Sequence, residues 1–154
     1  MTIEIFDIKA TINSKNKALQ NWKKHNFIYE KNSVILIEKI LEIEKKFKRI
    51  LLMTSDCEET YNKLKTLEYK TITLLTQYSG LHKHINDCNK IQKTPDEKRF
   101  KFDLIISNLC LHRIDDIITY GTKLKSLLSK NGFFICSFFG GKTLIELRDS
   151  LIRT

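Results

Sequence analysis

Glycine and proline are scarce in this chain, with five glycines and one proline among 154 residues. No stretch of 18 consecutive apolar residues is present, which argues against a membrane-spanning helix. The N-terminus, MTIEIFDIKA, lacks the basic flank and apolar core of a secretory signal peptide. A basic segment beginning near Ser14 is similar to an organelle-targeting helix, but acids surround it. We therefore expect a cytoplasmic protein without a membrane span.

The cysteines are few and widely separated. Cys57, Cys88, Cys110 and Cys136 form no C-x-x-C pair and no Cys/His spacing of the kind that binds a metal ion. The sequence therefore predicts reduced, buried thiols and no metal site.

The net charge of +9 raises the question of nucleic-acid binding. The excess is spread along the chain, and lysine dominates it in a composition that is also rich in Ile and Asn. Charge runs usually form solvated faces, so we favour that interpretation over a dedicated nucleic-acid patch. Nucleic acid is not an expected partner.

Length and a hydrophobic content of 42% suit one globular domain over residues 1–154. We expect residues 1–48 to form helices that cover the core. The first is an irregular helical segment over 14–31 with Ser14 as its N-cap. The second is a more regular helix at Ser33–Lys46, where apolar residues mostly recur at helical spacing: Val34, Ile37, Ile40, Leu41 and Ile43. Residues 49–154 predict an α/β core.

The core alternates apolar runs with amphipathic stretches, a pattern that predicts a parallel sheet. The expected strands are Ile50–Met53, Thr71–Thr76, Phe102–Ser107 and Phe133–Phe139. The expected helices are Glu58–Leu67, Asp115–Ser129 with Gly132 at its C-terminal stop, and Lys142–Ile152. Ligands of such sheets bind beyond the carboxyl ends of the strands. The loops placed there are Thr54–Glu58, Gln77–Tyr78, Asn108–His112 and Gly140–Thr143.

Two stretches, FDLIISNLCLHRIDD (102–116) and FFGGKTLIELRDSL (138–151), carry a family resemblance. With Ile5–Asp7 and His25–Phe27, they resemble the class I S-adenosylmethionine-dependent methyltransferase-like family (methyltransferase type 11). The resemblance covers the whole chain and is closest to the methyltransferase-like complex I assembly factors, then to the malonyl-carrier-protein methyltransferases. It implies an incomplete Rossmann-like methyltransferase fold, mostly parallel, with helices on both faces. It also implies S-adenosylmethionine as cofactor and a protein substrate or respiratory-complex subunit as partner.

The cofactor side departs from the family pattern. The family's first strand ends in an acid and a Gly-x-Gly turn, whereas Thr54–Glu58 contains no glycine. Gln77 stands where an acid usually accepts hydrogen bonds from the ribose hydroxyls. The cofactor-binding candidates implied by the resemblance are Thr54, Asp56, Glu58, Gln77, Asn108 and Leu109. The alternative to cofactor binding is that Thr54, Ser55 and Asp56 cap the next helix, and we favour this interpretation.

The substrate side keeps more of the pattern. His112 is the catalytic candidate, and Arg113, Gly140, Gly141 and Arg148 are the substrate-side candidates. Each has a structural alternative: a hydrogen-bonding role for His112, a tight turn for the two glycines and a solvated helix position for Arg148. Arg113 replaces the family's Trp.

A complete fold of this family adds two strands beyond Phe133–Phe139, one of them antiparallel beside it. Without them this strand is an exposed edge, which favours pairing with another chain. Three alternatives explain the exposed edge: a homodimer, a complementing chain that supplies the missing strands, or a truncated protein. Of these, we expect truncation. The function predicted is that of a methyltransferase-like protein with weakened or lost cofactor binding. The alternative is a non-catalytic or degenerate member that acts in assembly or as part of a split protein.

Overall fold

The computed structural model describes residues 6–75, 82–83 and 85–152. The helices are α1 Ile8–Ala18, α2 Trp22–His25, α3 Phe27–Leu41, α4 Glu59–Leu64, α5 Ile117–Leu127 and α6 Ile145–Ile152, with 3₁₀ turns at Leu19–Asn21 and Leu111–Arg113. The strands are β1 Arg49–Thr54, β2 Thr71–Leu75, β3 Asn89–Ile91, β4 Phe102–Asn108 and β5 Leu128–Ser137.

The N-terminal helices begin earlier than predicted. Asp7 caps α1, because its Oδ1 accepts a 2.9 Å hydrogen bond from the backbone N–H of Ala10. Ser14, the predicted N-cap, therefore lies inside α1. Helix α3 ends at Leu41. Of the apolar positions predicted within it, Ile37 and Ile40 are buried, whereas Val34 and Leu41 are exposed and lie off the inward face of the helix. That face consists of Ser33, Leu36, Ile37 and Ile40.

The sheet is five-stranded, with the order β3-β2-β1-β4-β5 and parallel pairing throughout. This confirms the predicted parallel sheet and its four longer strands, with ends that differ by a few residues. Strand β3 was not predicted because it is three residues long and mostly exposed, and it carries no apolar run. The chain builds outward from β1 to β3 and then returns to place β4 beside β1.

The two faces of the sheet carry separate apolar clusters. Helices α3 and α4 cover one face with Leu36, Ile40 and Leu64 against Ile50 and Leu104. Helix α5 covers the other with Leu124 and Leu127 against Leu51, Met53 and Ile105. The prediction of helices on both faces is confirmed, and β1 and β4 are buried on both sides because they lie at the centre.

Strand β5 begins where a helix end and loop were predicted. Helix α5 stops at Leu127 because Leu128 is already extended, with φ −72° and ψ 143°. Gly132 is not a helix stop but lies within β5, and a Cβ placed there would be 2.9 Å from the carbonyl oxygen of Phe102. The β4–β5 register shifts between Phe102 and Leu104 at this point. The glycine lets the two strands pair closely beside the irregularity.

Over the part of the chain that the structure covers, β5 forms one edge of the sheet. Phe133 and Phe134 are each 40% exposed there. Phe138 and Phe139, predicted to end the strand, follow it instead. Helix α6 begins at Ile145, three residues later than predicted, after a turn in which the N–H of Thr143 donates to the carbonyl of Gly140 at 2.9 Å.

The four cysteines are free thiols and half-buried, so the prediction of buried thiols was too strong. Within the described ranges, no helix is long and apolar enough to cross a membrane. No group of three His, Cys, Asp or Glu side chains in those ranges is arranged to hold a metal ion.

Candidate functional site

The carboxyl ends of β1 and β4 form the candidate site. Strand order reverses between these two neighbours, which is where open parallel sheets place their ligands. Thr54, the last residue of β1, lies in register with Asn108, the last residue of β4. The N–H of Ser55 then donates to the carbonyl of Asn108 at 3.2 Å, so the loops leaving the two strands start side by side.

Asn108 is fully buried and organises this edge of the sheet. Its Nδ2 donates to Thr60 Oγ1 at 2.7 Å and to Asp56 Oδ2 at 3.2 Å. Its Oδ1 accepts hydrogen bonds from Ser137 Oγ at 2.9 Å and from Asn32 Nδ2. One side-chain amide therefore connects the ends of β1, β4 and β5 to α3.

Asp56 is also completely buried. Its Oδ2 accepts from the hydroxyls of Thr54, at 2.5 Å, and Thr60, and its Oδ1 accepts from the backbone N–H of Thr60 at 3.4 Å. Burial raises the pKa of this carboxyl to about 6, although the hydrogen bonds from Thr54 and Thr60 oppose the shift. Asp56 thus contacts an N–H in the first turn of α4, but Glu58 occupies the N-cap position and its side chain makes no capping hydrogen bond, so the predicted capping by Thr54, Ser55 or Asp56 is not seen.

The backbone of Asp56 has a partner as well. His82, 1% exposed, places Nε2 2.9 Å from the Asp56 carbonyl oxygen, to which it donates as the Nε2–H tautomer. Burial lowers the pKa of His82 to about 4, so the imidazole is neutral at pH 7. This contact could not be predicted, because His82 falls in a stretch of sequence without a readable pattern.

Glu59, rather than the predicted Glu58, is the acid with built contacts. Its Oε1 accepts from Trp22 Nε1 at 2.6 Å and from Asn26 Nδ2 at 2.7 Å, and its Oε2 accepts from the backbone N–H groups of Cys57 and Glu58. Burial acts to raise its pKa, but these hydrogen bonds outweigh burial and lower it. Glu58 is exposed and lines a cavity of about 320 Å³ with Trp22 and Glu59.

Lys15 of α1 reaches the same edge and is only 7% exposed. Its Nζ donates to the carbonyl oxygen of Ser55 at 3.0 Å and to the hydroxyl of Tyr29 at 2.8 Å. Burial, and next the charge of Arg113, lower its pKa to about 8. This residue contradicts the expectation that the lysines lie on solvated faces. A signal for it existed, since Lys15 lies on the same helical face as Ile12, Leu19 and Trp22.

Leu109 follows Asn108 in a left-handed conformation, with φ 52°. Its backbone N–H donates to the carbonyl of Ser137 at 3.1 Å, and its side chain is 4% exposed. A non-glycine residue in this conformation costs about 1–3 kcal/mol, which the surrounding contacts must offset. Leu109 therefore presents backbone rather than side chain at this edge.

His112 and Arg113 lie in the 3₁₀ turn after β4 and are half-buried. The His112 ring packs edge-on against Phe139, with centroids 5.2 Å apart. Its Nδ1 is buried and has no hydrogen-bond partner among the residues described. Burial and the nearby charges of Arg113 and Lys15 lower the pKa of His112, which favours the neutral ring. A neutral imidazole can accept a hydrogen bond or a proton.

The remaining candidates lie apart from this hydrogen-bonded cluster. Gly140 and Gly141 are exposed, with nothing within 4 Å of an added Cβ and no positive φ, so their turn does not require glycine. Arg148 is exposed and pairs with Asp149 at 3.6 Å. Gln77 lies outside the described residues. The structure thus groups Thr54, Asp56, Asn108 and Leu109, with His112 and Arg113 on the turn that follows.

No family model matches the chain. A 63-residue segment is 48% identical to "Arginine-hydroxylase NDUFAF5, mitochondrial" of Dictyostelium discoideum and covers 41% of this chain and 14% of that protein. A 48-residue segment is 46% identical to the malonyl-[acyl-carrier protein] O-methyltransferase of Xylella fastidiosa and covers 31% of this chain and 16% of that protein. The matches thus span about a sixth or less of these two relatives.

Among solved structures, the plantazolicin methyltransferase BpumL in complex with a monoazolic desmethylPZN analog and SAH superposes with a TM-score of 0.65. The likeness covers 93% of this chain and 66% of that chain at 15% identity. The described fold is therefore that of class I S-adenosylmethionine-dependent methyltransferases. The sequence matches add a likeness, over part of the chain, to a protein named as an arginine hydroxylase and to a methyltransferase.

Proposed function

We propose that this chain is an S-adenosylmethionine-dependent methyltransferase-like protein with weakened cofactor binding at the carboxyl ends of β1 and β4. The fold and the reversal of strand order beside Thr54 and Asn108 support this location. Thr54, Asp56, Asn108 and Leu109 are the cofactor-side residues in the cluster. Glu58 and Gln77 complete the proposed set, although Glu58 faces the neighbouring cavity. When bound, S-adenosylmethionine supplies an activated methyl group.

One observation carries the proposal of weak binding: polar groups at the end of β1 are already occupied. The Asp56 carboxylate accepts from Thr54, Thr60 and Asn108, and the Ser55 carbonyl accepts from Lys15. The segment also lacks the glycines that let a backbone approach a ligand. In this conformation the residues after β1 do not fit the amino-acid end of the cofactor, so binding requires a rearrangement that reduces affinity.

On the substrate side, His112 is proposed to accept a hydrogen bond or proton from the acceptor group, since its Nδ1 has no partner within the described ranges. Arg113, Gly140, Gly141 and Arg148 are proposed to contact the substrate. The proposed substrate class is a protein, such as a respiratory-complex subunit, because the sequence resembles the methyltransferase-like complex I assembly factors; one relative is named as an arginine hydroxylase. That name also makes a modification other than methyl transfer a candidate reaction. Our predicted location is the cytoplasm, whereas that relative is named mitochondrial.

A second candidate function is non-catalytic assembly, with residues 1–154 folding as one methyltransferase-like domain that binds another chain. The exposed edge of β5, with Phe133 and Phe134 each 40% exposed, supports it. A second copy or a complementing chain is proposed to pair there.

The test is a calorimetric titration of the purified chain with S-adenosylmethionine and SAH, with adenosine and methionine as separate controls. Fluorescence gives a second readout, because Trp22 is the only tryptophan and contacts Glu59 beside the site. We expect saturable binding with a Kd between about 0.1 and 1 mM, equivalent to roughly −4 to −5.5 kcal/mol. Binding at tens of micromolar or better contradicts the proposed weakening. No response at millimolar ligand contradicts cofactor binding and favours the assembly function.

A further inference from the structure

Lys15 occupies a cage that is suited to an ammonium group. Its Nζ lies 4.8 Å from the ring centroid of Tyr29 and 5.5 Å from that of Trp22. The same atom donates to the Ser55 carbonyl and the Tyr29 hydroxyl. Two aromatic faces and two oxygen acceptors around one cation are the arrangement by which proteins recognise primary and methylated ammonium ions.

The groups that form the cage are held in place by hydrogen bonds to the rest of the fold. The indole N–H of Trp22 is bonded to Glu59, which also binds Asn26 and the backbone that follows β1. Glu59 therefore holds the aromatic wall against the start of α4. The Ser55 carbonyl is held too, because the residue's N–H is bonded to Asn108 and its hydroxyl to Leu109 O at 2.9 Å.

The surrounding charges favour a cation only in part. The Asp56 carboxylate acts in favour of the Lys15 ammonium, and Arg113 acts against it. An ammonium taken from water into such a place needs every available acceptor, because burying a charge without partners is costly. The contacts to Ser55 and Tyr29 are thus what keeps Lys15 inside.

We propose that Lys15 is a built-in competitor: its ammonium fills an ammonium-binding cage made by Trp22, Tyr29 and the Ser55 carbonyl, and it excludes ligands that carry such a group. A ligand with a primary or methylated ammonium, such as the amino-acid end of a cofactor, binds there when Lys15 withdraws. The identity of the natural ligand rests on the proposed function, whereas the cage and its competitor do not. On this proposal, the Lys15 side chain is one cause of the weakened cofactor binding, and a substitution of Lys15 removes it.

The experiment compares the wild-type chain with Lys15→Ala, and with Lys17→Ala as an exposed lysine of the same helix. Each protein is titrated with ethylammonium chloride against sodium chloride at equal ionic strength, with Trp22 fluorescence and thermal stability as readouts. We expect a saturable response of Lys15→Ala at a concentration about tenfold or more below any response of the other two. A folded Lys15→Ala protein that responds no better than Lys17→Ala overturns the proposal.

A second measurement needs no variant. Brief treatment of the wild-type protein with an amine-acetylating reagent, followed by peptide mass spectrometry, compares Lys15 with Lys17. At neutral pH the lowered pKa gives Lys15 more of the reactive free amine, but we expect it to be modified at least about tenfold more slowly, because its Nζ is enclosed and hydrogen-bonded. Equal rates overturn the proposal even where Lys15→Ala does not fold.

The same proteins separate this inference from the proposed function. Titration with S-adenosylmethionine is expected to show tighter binding by Lys15→Ala than by wild type. If Lys15→Ala binds ethylammonium while neither protein binds S-adenosylmethionine, the cage is supported and the cofactor proposal fails. If wild type binds S-adenosylmethionine and Lys15→Ala binds it no more tightly, the competitor role fails and cofactor binding stands.

Discussion

The Asn108 amide at the end of β4 donates a 3.2 Å hydrogen bond to Asp56, two residues beyond the end of β1. Both side chains are 0% exposed, so water cannot replace a hydrogen bond that either of them loses. Such a buried network stabilises a single arrangement when all its members are satisfied. The candidate site is therefore a polar cluster built into the fold, and its variants are expected to affect stability as well as ligand binding.

Replacing Asn108 by alanine is expected to destabilise the fold by about 2–4 kcal/mol. Asp56 and Thr60 lose a donor in a place closed to water, and the half-buried Asn32 loses an acceptor. Urea denaturation measures the change. Asn86→Ala, at an exposed position, is the control, and equal losses from the two variants contradict a central role for Asn108.

Asp56 is expected to make stability depend on pH in the acid range. Its pKa is about 6 in the folded protein and near 3.8 in the unfolded chain, so between these values the folded state binds more protons. Stability due to this group therefore falls as pH rises from about 4 to 6 and stays lower above it. Asp56→Asn lacks this dependence. Denaturation of both proteins at pH 4, 5 and 7 gives the difference, and a constant difference contradicts the raised pKa.

Lys15 is expected to make the stability of the fold depend on pH in the alkaline range. With its pKa lowered from 10.5 to about 8, the unfolded chain binds more protons than the folded one between those values. The penalty for burying the charge is full below pH 8 and disappears toward pH 10.5, so stability rises with pH relative to Lys15→Met. The comparison cancels other titrating groups, including Cys57 and Cys110, whose pKa values burial raises to about 12. A flat difference between pH 7 and 10 argues against the lowered pKa.

Gly132→Ala is expected to cost about 1–3 kcal/mol, because the new Cβ meets the Phe102 carbonyl at 2.9 Å, which is backbone and cannot turn away. Gly121→Ala is the matched control within α5. It meets nothing within 4 Å and is expected to gain about 0.5–1 kcal/mol through helix propensity. Thermal unfolding of the pair measures both signs. Two stabilised variants would refute the close packing at β5.

The edge of β5 is expected to drive association. If another copy pairs there, sedimentation velocity shows a concentration-dependent dimer, and Phe134→Lys abolishes it by placing a charge on the edge strand. Ile118→Lys, at an 80% exposed apolar position on α5, is the control and leaves the dimer intact. Equal sensitivity of both variants indicates general hydrophobic association, and a monomer at all concentrations excludes the homodimer.

The central strands could be predicted because a strand buried on both faces needs an unbroken apolar run, as at Ile50–Met53. The cluster of Asp56 and Asn108 was predicted in position, since parallel strands bring their carboxyl ends together. Its partners Asn32, Thr60 and Ser137 were not predicted, because polar residues in a helix or strand carry no mark of what they face. Gly132 was wrongly assigned as a helix stop, because a glycine after a helical pattern more often ends the helix than provides space for the backbone of a neighbouring strand. The burial of Lys15 was not predicted, because lysines usually lie in solvent and its place on the helical face of Ile12, Leu19 and Trp22 was not taken into account.

The Asn108 amide also has a consequence for how the protein folds. Its partners Asn32, Asp56 and Ser137 are separated from it by 76, 52 and 29 residues, so the cluster closes only when α3, β1, β4 and β5 have all assembled. Contacts so distant in sequence form late and slowly, because the chain between them must first be ordered. During synthesis, the complete cluster of hydrogen bonds cannot form until Ser137 has left the ribosome.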